Sequence, residues 1–198
     1  MSKDLDEIYR EYKSKIKLPK QKFYRKFLLC PVGGIGAGKT TVIKPLAEKL
    51  GVARVSTDEV RELLKANGRG YDGDKDIAAR IVRDLLQEGY SIALDGNCGS
   101  PDALERIQGI VKDFAPEVFW LHVAPPEKFI IQKLKNYRHT WLFSSEDDAV
   151  AAYFKYKKDN GDFSNLKLPY IYTFDTSRED LPEQIDEAAS LICKKLEK

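Results

Sequence analysis

The sequence predicts a three-layer α/β/α fold built on a five-stranded parallel sheet, with one extra helix at the N-terminus. Two observations carry this. Short apolar runs alternate with amphipathic segments from residue 27 onward, and such alternation places parallel strands between two layers of helices. The first apolar run also leads straight into a glycine-rich loop and then a helical pattern. At 198 residues and 42% hydrophobic content, the chain is long enough for one domain with a sizeable core.

Element by element, Leu5, Ile8, Tyr9, Tyr12 and Ile16 recur at helical spacing and predict a helix over residues 4–16, packed on the outside of the core. Pro19 ends it, and a basic connector runs to Lys26, so residues 1–26 form an N-terminal extension to a domain over 27–198. Phe27 to Val32 reads as a buried strand, and Thr41 to Leu50 as an amphipathic helix that Pro45 can bend. Residues 52–56 are a second strand. Thr57 or Asp58 is placed to cap the helix through Val60, Leu63 and Leu64. A helix over 74–88 stops at Gly89, and a third strand spans 90–95. A helix over 101–114 is followed by a fourth strand over 117–123. Pro125-Pro126 opens a helix to about Tyr137, and an irregular stretch leads to another through Tyr153 and Tyr156. A fifth strand spans 170–175, and the closing helix spans 181–196.

Gly33-Gly34-Ile35-Gly36-Ala37-Gly38-Lys39-Thr40 fits G-x-x-x-x-G-K-[ST] between a strand and a helix, the phosphate-binding loop of P-loop proteins. Glycines let the backbone wrap closely and turn its N–H groups onto a polyphosphate, and the following helix adds its positive end. The loop, with Lys39, Thr40 and Thr41, is therefore expected to bind ATP. Lys39 supplies charge to the β- and γ-phosphates, and Thr40 a hydroxyl to Mg²⁺.

Ligands in such sheets sit beyond the carboxyl ends of the strands, so Asp58 and Asp95 should converge on this loop. Asp58 can accept the proton of an attacking hydroxyl, the alternative being a plain N-cap. Arg61 lies one turn on; it can grip an acceptor phosphate or merely pair with Asp58. Asp95 ends an apolar strand and can hold Mg²⁺, or shape the turn Asp95-Gly96-Asn97. Asn97 can bond substrate or serve the turn. A lid is expected around residues 133–144, where Lys133, Lys135, Arg138 and His139 cluster. Arg138 is its candidate for stabilising transition-state charge, against a solvated basic helix end. Thr176, Ser177 and Arg178 can border the adenine ring or cap the last helix. Trp141 and Phe143 can pack the lid or form an acceptor platform. His122 and His139, the two histidines, read as structural.

On Gly33–Thr40, Ser56-Thr57-Asp58-Glu59-Val60-Arg61, Leu94-Asp95-Gly96-Asn97 and Leu121 to Glu127, the chain resembles the P-loop kinases grouped with polynucleotide kinase, zeta toxin and related small AAA-domain kinases. The resemblance spans about residues 27–178. It implies the strand order 2-3-1-4-5, Asp58 as base toward the acceptor hydroxyl, and Arg61 as a group holding acceptor phosphate. It departs from the family in showing only Arg138 where lids often carry several arginines, and it leaves little room after the fifth strand for the second helical domain of AAA+ motors. The implied activity is ATP- and Mg²⁺-dependent transfer to a hydroxyl acceptor, either a nucleic-acid 5′-end or a small molecule. A nucleotide switch with slow hydrolysis is the alternative. The D-x-x-R segment and the basic stretch Lys13 to Lys26 suggest the nucleic-acid end.

The formal net charge of +2 does not force a nucleic-acid partner. Cys30, Cys98 and Cys193 are scattered, which suits buried free thiols in a reducing cytosol rather than a metal site. The charged start is neither a secretory signal nor an anchor, and no apolar run approaches membrane-spanning length, so a cytoplasmic protein is expected.

Overall fold

The computed structural model describes residues 4–136, 143, 145–161, 163 and 166–197. Five strands, β1 (Phe27–Val32), β2 (Ala53–Ser56), β3 (Ile92–Asp95), β4 (Glu117–Val123) and β5 (Tyr170–Phe174), form one parallel sheet in the order β2-β3-β1-β4-β5. This is the order that the resemblance implied. The helices are α1 (Leu5–Lys15), α2 (Lys39–Leu50), α3 (Thr57–Ala66), α4 (Asp74–Gln87), α5 (Pro101–Phe114), α6 (Glu127–Lys135), α7 (Glu146–Asn160) and α8 (Leu181–Leu196).

The central strand explains the layering. In β1, Phe27 and Leu29 join one apolar cluster with α2, α8 and the inner faces of α6 and α7. Leu28, Cys30 and Val32 join the other, with α1, α3, α4 and α5. A strand buried on both faces reads as a continuous apolar run rather than an alternation. Pro31 is tolerated in this central strand beyond its recorded pairing with β3, which ends at Leu29↔Ala93; the Pro31 carbonyl takes the Cys98 N–H at 2.8 Å. Pro45 does not end α2, because Val42, Ile43, Leu46, Ala47 and Leu50 anchor that helix on the core.

The N-terminal helix is part of the same core. Asp4 and Glu7 close a reciprocal capping box, and Ile8, Tyr9 and Tyr12 are buried against the α3–α4 side. The connector then runs under the amino ends of the strands: Lys22 donates to the Glu88 carbonyl at 2.6 Å, and Glu117 N–H donates to the Lys26 carbonyl at 2.9 Å. β1 carries six residues between Lys26 and the glycine loop, so the basic connector lies about 20 Å from that loop at ~3.3 Å per residue. No helix among the described residues is long and apolar enough to cross a membrane.

Candidate active site

The glycine loop closes onto the carboxyl ends of β1 and β4. A Cβ on Gly33 would stand 2.5 Å from the Val123 carbonyl oxygen, so only glycine fits there. Gly36 and Gly38 take φ of 74° and 94°, in the left-handed region that side chains avoid. Thr176, in the loop after β5, donates to the Ala37 carbonyl at 2.7 Å and ties the far strand to the glycine loop. The cradle, its glycines and the adjoining helix N-terminus suit a polyphosphate.

Lys39 opens α2 and folds back, donating to the carbonyls of Gly33 at 3.0 Å and Gly34 at 2.7 Å. The residue is partly buried and its ammonium is turned inward. Burial pushes it down to about 8, against the attraction of Asp58 and Asp95, and Lys133 of α6 lowers it further. Asp58, Asp95 and Lys133 therefore all act on one ammonium, although 94 residues separate Lys39 from Lys133.

Thr40 donates to Asp95 Oδ1 at 2.8 Å. Asp95 is almost fully buried and also accepts from Arg54, whose other arm reaches Glu59. Burial raises the Asp95 carboxyl, while Thr40 and Arg54 pull it back. A hydroxyl beside a buried carboxylate is a donor set suited to Mg²⁺ next to bound phosphates. No cluster of three or more metal-ligating side chains occurs among the described residues, so phosphate oxygens and water would complete the shell. Glu59 accepts from Tyr12 of α1 at 3.1 Å, and the Tyr12 hydroxyl accepts from Ser56 N–H at 2.7 Å. One polar chain thus runs from Thr40 through Asp95, Arg54 and Glu59 to the N-terminal helix. Sequence reading missed Arg54 and Tyr12; the only signals were a charged residue inside a short strand and a tyrosine on the buried face of α1.

Asp58 is not the helix cap. Ser56 is the N-cap of α3, accepting from Glu59 N–H, and Asp58 is the second helical residue with its side chain about half exposed. Arg61 Nη1 donates to Asp58 Oδ1 at 3.0 Å, and Arg61 Nε donates to Asp74 Oδ2 at 2.6 Å. Asp74 is buried at the start of α4, and the sequence reading did not foresee its contact with Arg61.

Asn97 links three parts of the site. Its side-chain oxygen accepts from the backbone N–H of Gly33 at 3.3 Å and of Gly99 at 3.2 Å, and its amide nitrogen donates to the Tyr156 hydroxyl of α7 at 2.5 Å. Burial raises the Tyr156 phenol, against the Asn97 bond and the Arg61 charge. A cavity of about 210 Å³ opens beside Gly33 and Gly34, between the end of β4 and the helices α6 and α7, with Tyr153, Tyr156, His122 and Phe163 on its walls.

Ile35 and Gly34 are partly buried in the loop, and Thr41 faces outward on the first turn of α2. Arg178 gives both arms of its fork to Asp180 on the surface, so the contact of this loop with the P-loop comes from Thr176. His122 stacks on Tyr170, ring centroids 4.8 Å apart. Arg138, His139 and Trp141 lie outside the described residues. Phe143 packs against the α2–α8 side of the core. Cys30 and Cys98 are buried, whereas Cys193 is exposed.

Residues 28–156 match the family model described as AAA domain. The chain belongs to the AAA domain family. Its sequence is 29% identical over 124 residues to a shikimate kinase from Dehalococcoides mccartyi; that match covers 58% of this chain and 66% of the relative, just under two thirds of its length. Among solved structures, a protein of Chloroflexus aurantiacus assigned provisionally as a kinase superposes with a TM-score of 0.63 at 18% identity, over 87% of this chain and 96% of that one. A gluconokinase from Sinorhizobium meliloti superposes with a TM-score of 0.56 at 13% identity, over 89% of this chain and 96% of that one. This member of the AAA domain family therefore has the fold of small P-loop kinases. The matches do not single out the polynucleotide kinase group.

Proposed function

We propose that this protein is an ATP- and Mg²⁺-dependent kinase that transfers the γ-phosphoryl group to an acceptor hydroxyl. One observation carries the reading: Lys39, the Thr40–Asp95 pair and the Arg61-held Asp58 meet at the carboxyl ends of three adjacent strands. The glycine loop holds the phosphates with its backbone N–H groups, and Lys39 turns its ammonium from the loop carbonyls onto them. Thr40 and Asp95 would hold Mg²⁺, which would offset charge on the phosphate oxygens. Asp58 takes the acceptor's hydroxyl proton as that oxygen attacks the γ-phosphorus and the bridging oxygen leaves with ADP. Arg61 fixes the direction of the Asp58 carboxylate. Arg138, between α6 and α7, is the proposed lid cation.

The test uses γ-labelled ATP and Mg²⁺ with a panel of hydroxyl acceptors, wild type beside Asp58→Asn. Transfer to an acceptor, lost in the variant while ATP still binds, supports the kinase. Slow phosphate release that the substitution leaves unchanged would instead mean a nucleotide switch.

A further inference from the structure

The acceptor side of the cleft has a charge pattern that the D-x-x-R segment alone does not reveal. An arginine that grips an anionic substrate presents its fork to the cleft, so that two parallel N–H groups meet two oxygens. Arg61 does not. Its Nε is directed to Asp74 at 2.6 Å and its Nη1 to Asp58 at 3.0 Å, so carboxylates hold it at two edges. Asp74 itself is fixed: only 9% of its side chain is exposed, and its other oxygen accepts Lys75 N–H at 2.6 Å. The Tyr71 ring lies 6.0 Å from the Arg61 guanidinium. A phosphate or carboxylate arriving here meets one guanidinium already flanked by two negative charges.

The neighbouring cations repeat the pattern. Arg54 is held by Asp95 and Glu59, and Lys75 pairs with Asp102 at 3.3 Å. On the other side of Tyr156, the lysine of the aromatic-walled cavity, Lys157, donates to both oxygens of Glu127 at 3.0 and 2.9 Å. Among the described residues, then, the cations of β2, α3, α4 and this cavity named here are each matched by at least one carboxylate, and Arg54 and Arg61 by two. What these walls offer an acceptor is aromatic faces, the Tyr156 hydroxyl, the Asn97 amide and carboxylate oxygens. The hydroxyl and the amide exchange hydrogen bonds with hydroxyls, and the carboxylates repel anions.

We infer that the acceptor is an uncharged polyhydroxylated molecule, and that the Asp74–Arg61–Asp58 clamp excludes phosphate- and carboxylate-bearing acceptors. This rests on the kinase reading for the word acceptor, and on the clamp for the choice of class. In this arrangement Arg61 is a positioning residue for Asp58 rather than a phosphate ligand. A polynucleotide end is disfavoured on the same ground, since its first phosphodiester would lie beside the clamp. The basic connector that suggested such a partner lies at the opposite end of the sheet.

The test has two arms. In the first, label transfer is measured to matched pairs in which one member carries an added anionic group: glucose against glucuronate, glycerol against glycerate, and adenosine against its 3′-phosphate. Wild type should favour the uncharged member of any pair it uses by about tenfold or more in kcat/KM, and Asp74→Asn should narrow that ratio by about tenfold without abolishing transfer. Preference of wild type for the anionic member overturns the inference and leaves the kinase standing. In the second arm, inorganic sulfate is titrated onto ADP-loaded wild type while the Arg61 Nε–H signal is followed by NMR. A signal unmoved at millimolar sulfate supports the clamp, and a saturable shift overturns it. If no pair member is phosphorylated and only slow phosphate release is seen, unchanged by Asp58→Asn, the kinase reading is what fails, and the sulfate arm still decides whether this wall refuses anions.

Discussion

The N-terminal helix holds the start of α3 through a single hydroxyl, which makes Tyr12→Phe a sharp test of that link. Tyr12 is 3% exposed, and phenylalanine keeps its ring and its apolar burial. Only the hydroxyl is lost, with two bonds: one accepted from Ser56 N–H at 2.7 Å and one donated to Glu59 at 3.1 Å. Ser56 is buried, so its amide is left without that partner, at about 1–3 kcal/mol. Glu59 is nearly half exposed and keeps Arg54, so its share is small. The variant should therefore lose about 2 kcal/mol, or about 4–8 °C in Tm for a chain of this length. Urea and thermal unfolding measure it directly. Because Asp58 lies two residues after Ser56, the acceptor KM should rise while the nucleotide Kd stays constant. Stability within about 0.5 kcal/mol of wild type would refute the reasoning, since it would mean that the Ser56 amide is satisfied without the phenol.

Three further outcomes are expected. Gly33→Ala drives a Cβ to 2.5 Å from the Val123 carbonyl; it should cost about 1–3 kcal/mol in unfolding experiments and weaken nucleotide binding by calorimetry, with the circular dichroism spectrum retained. Thr176→Val removes the bond to the Ala37 carbonyl and should raise the nucleotide Kd by roughly fivefold, the equivalent of about 1 kcal/mol. Lys13→Met tests the outer ion pairs with Asp84 at 3.1 Å and Glu88 at 3.0 Å. Burial disfavours the charged Asp84, but bonds from Tyr9 and Lys13 and the charges of Lys13 and Arg80 outweigh it and hold the carboxyl below its ordinary value. A depressed acid contributes stability above its unfolded pKa and loses it as pH falls through the folded one. The variant should thus be at most about 1 kcal/mol less stable at neutral pH. In urea titrations at a series of pH values, that gap should close as the solution is acidified below pH ~4.

Much of the fold can be read from the sequence because its signals are local. Each strand was marked by an apolar run, and β1 had to be central because Phe27 to Val32 has no polar face. The closing helix over 181–196 was legible to the residue, since its apolar spacing is helical throughout. The helix cap was misplaced by one or two residues: Ser56, Thr57 and Asp58 are all good caps, and only the register of β2 against β3, with Ser56 beside Asp95, decides which one is the last extended residue.

The sequence by itself determined where the phosphate-cradle loop forms, because the glycine loop, its lysine and its threonine are contiguous and their geometry is fixed by backbone turns. It also determined that Asp58 and Asp95 would face that loop, because parallel strands end on the same side. The tertiary structure alone decided what each charge is paired with. Arg54 meets Asp95 across 41 residues, Tyr12 meets Ser56 across 44, and Asn97 meets Tyr156 across 59. Periodicity encodes which face of an element is buried, but an ion pair depends on which atoms approach within about 3 Å. That is set by how the ends of separate helices and strands pack, and it is why Arg61, legible as a cleft residue, becomes a clamp only when α4 brings Asp74 against it.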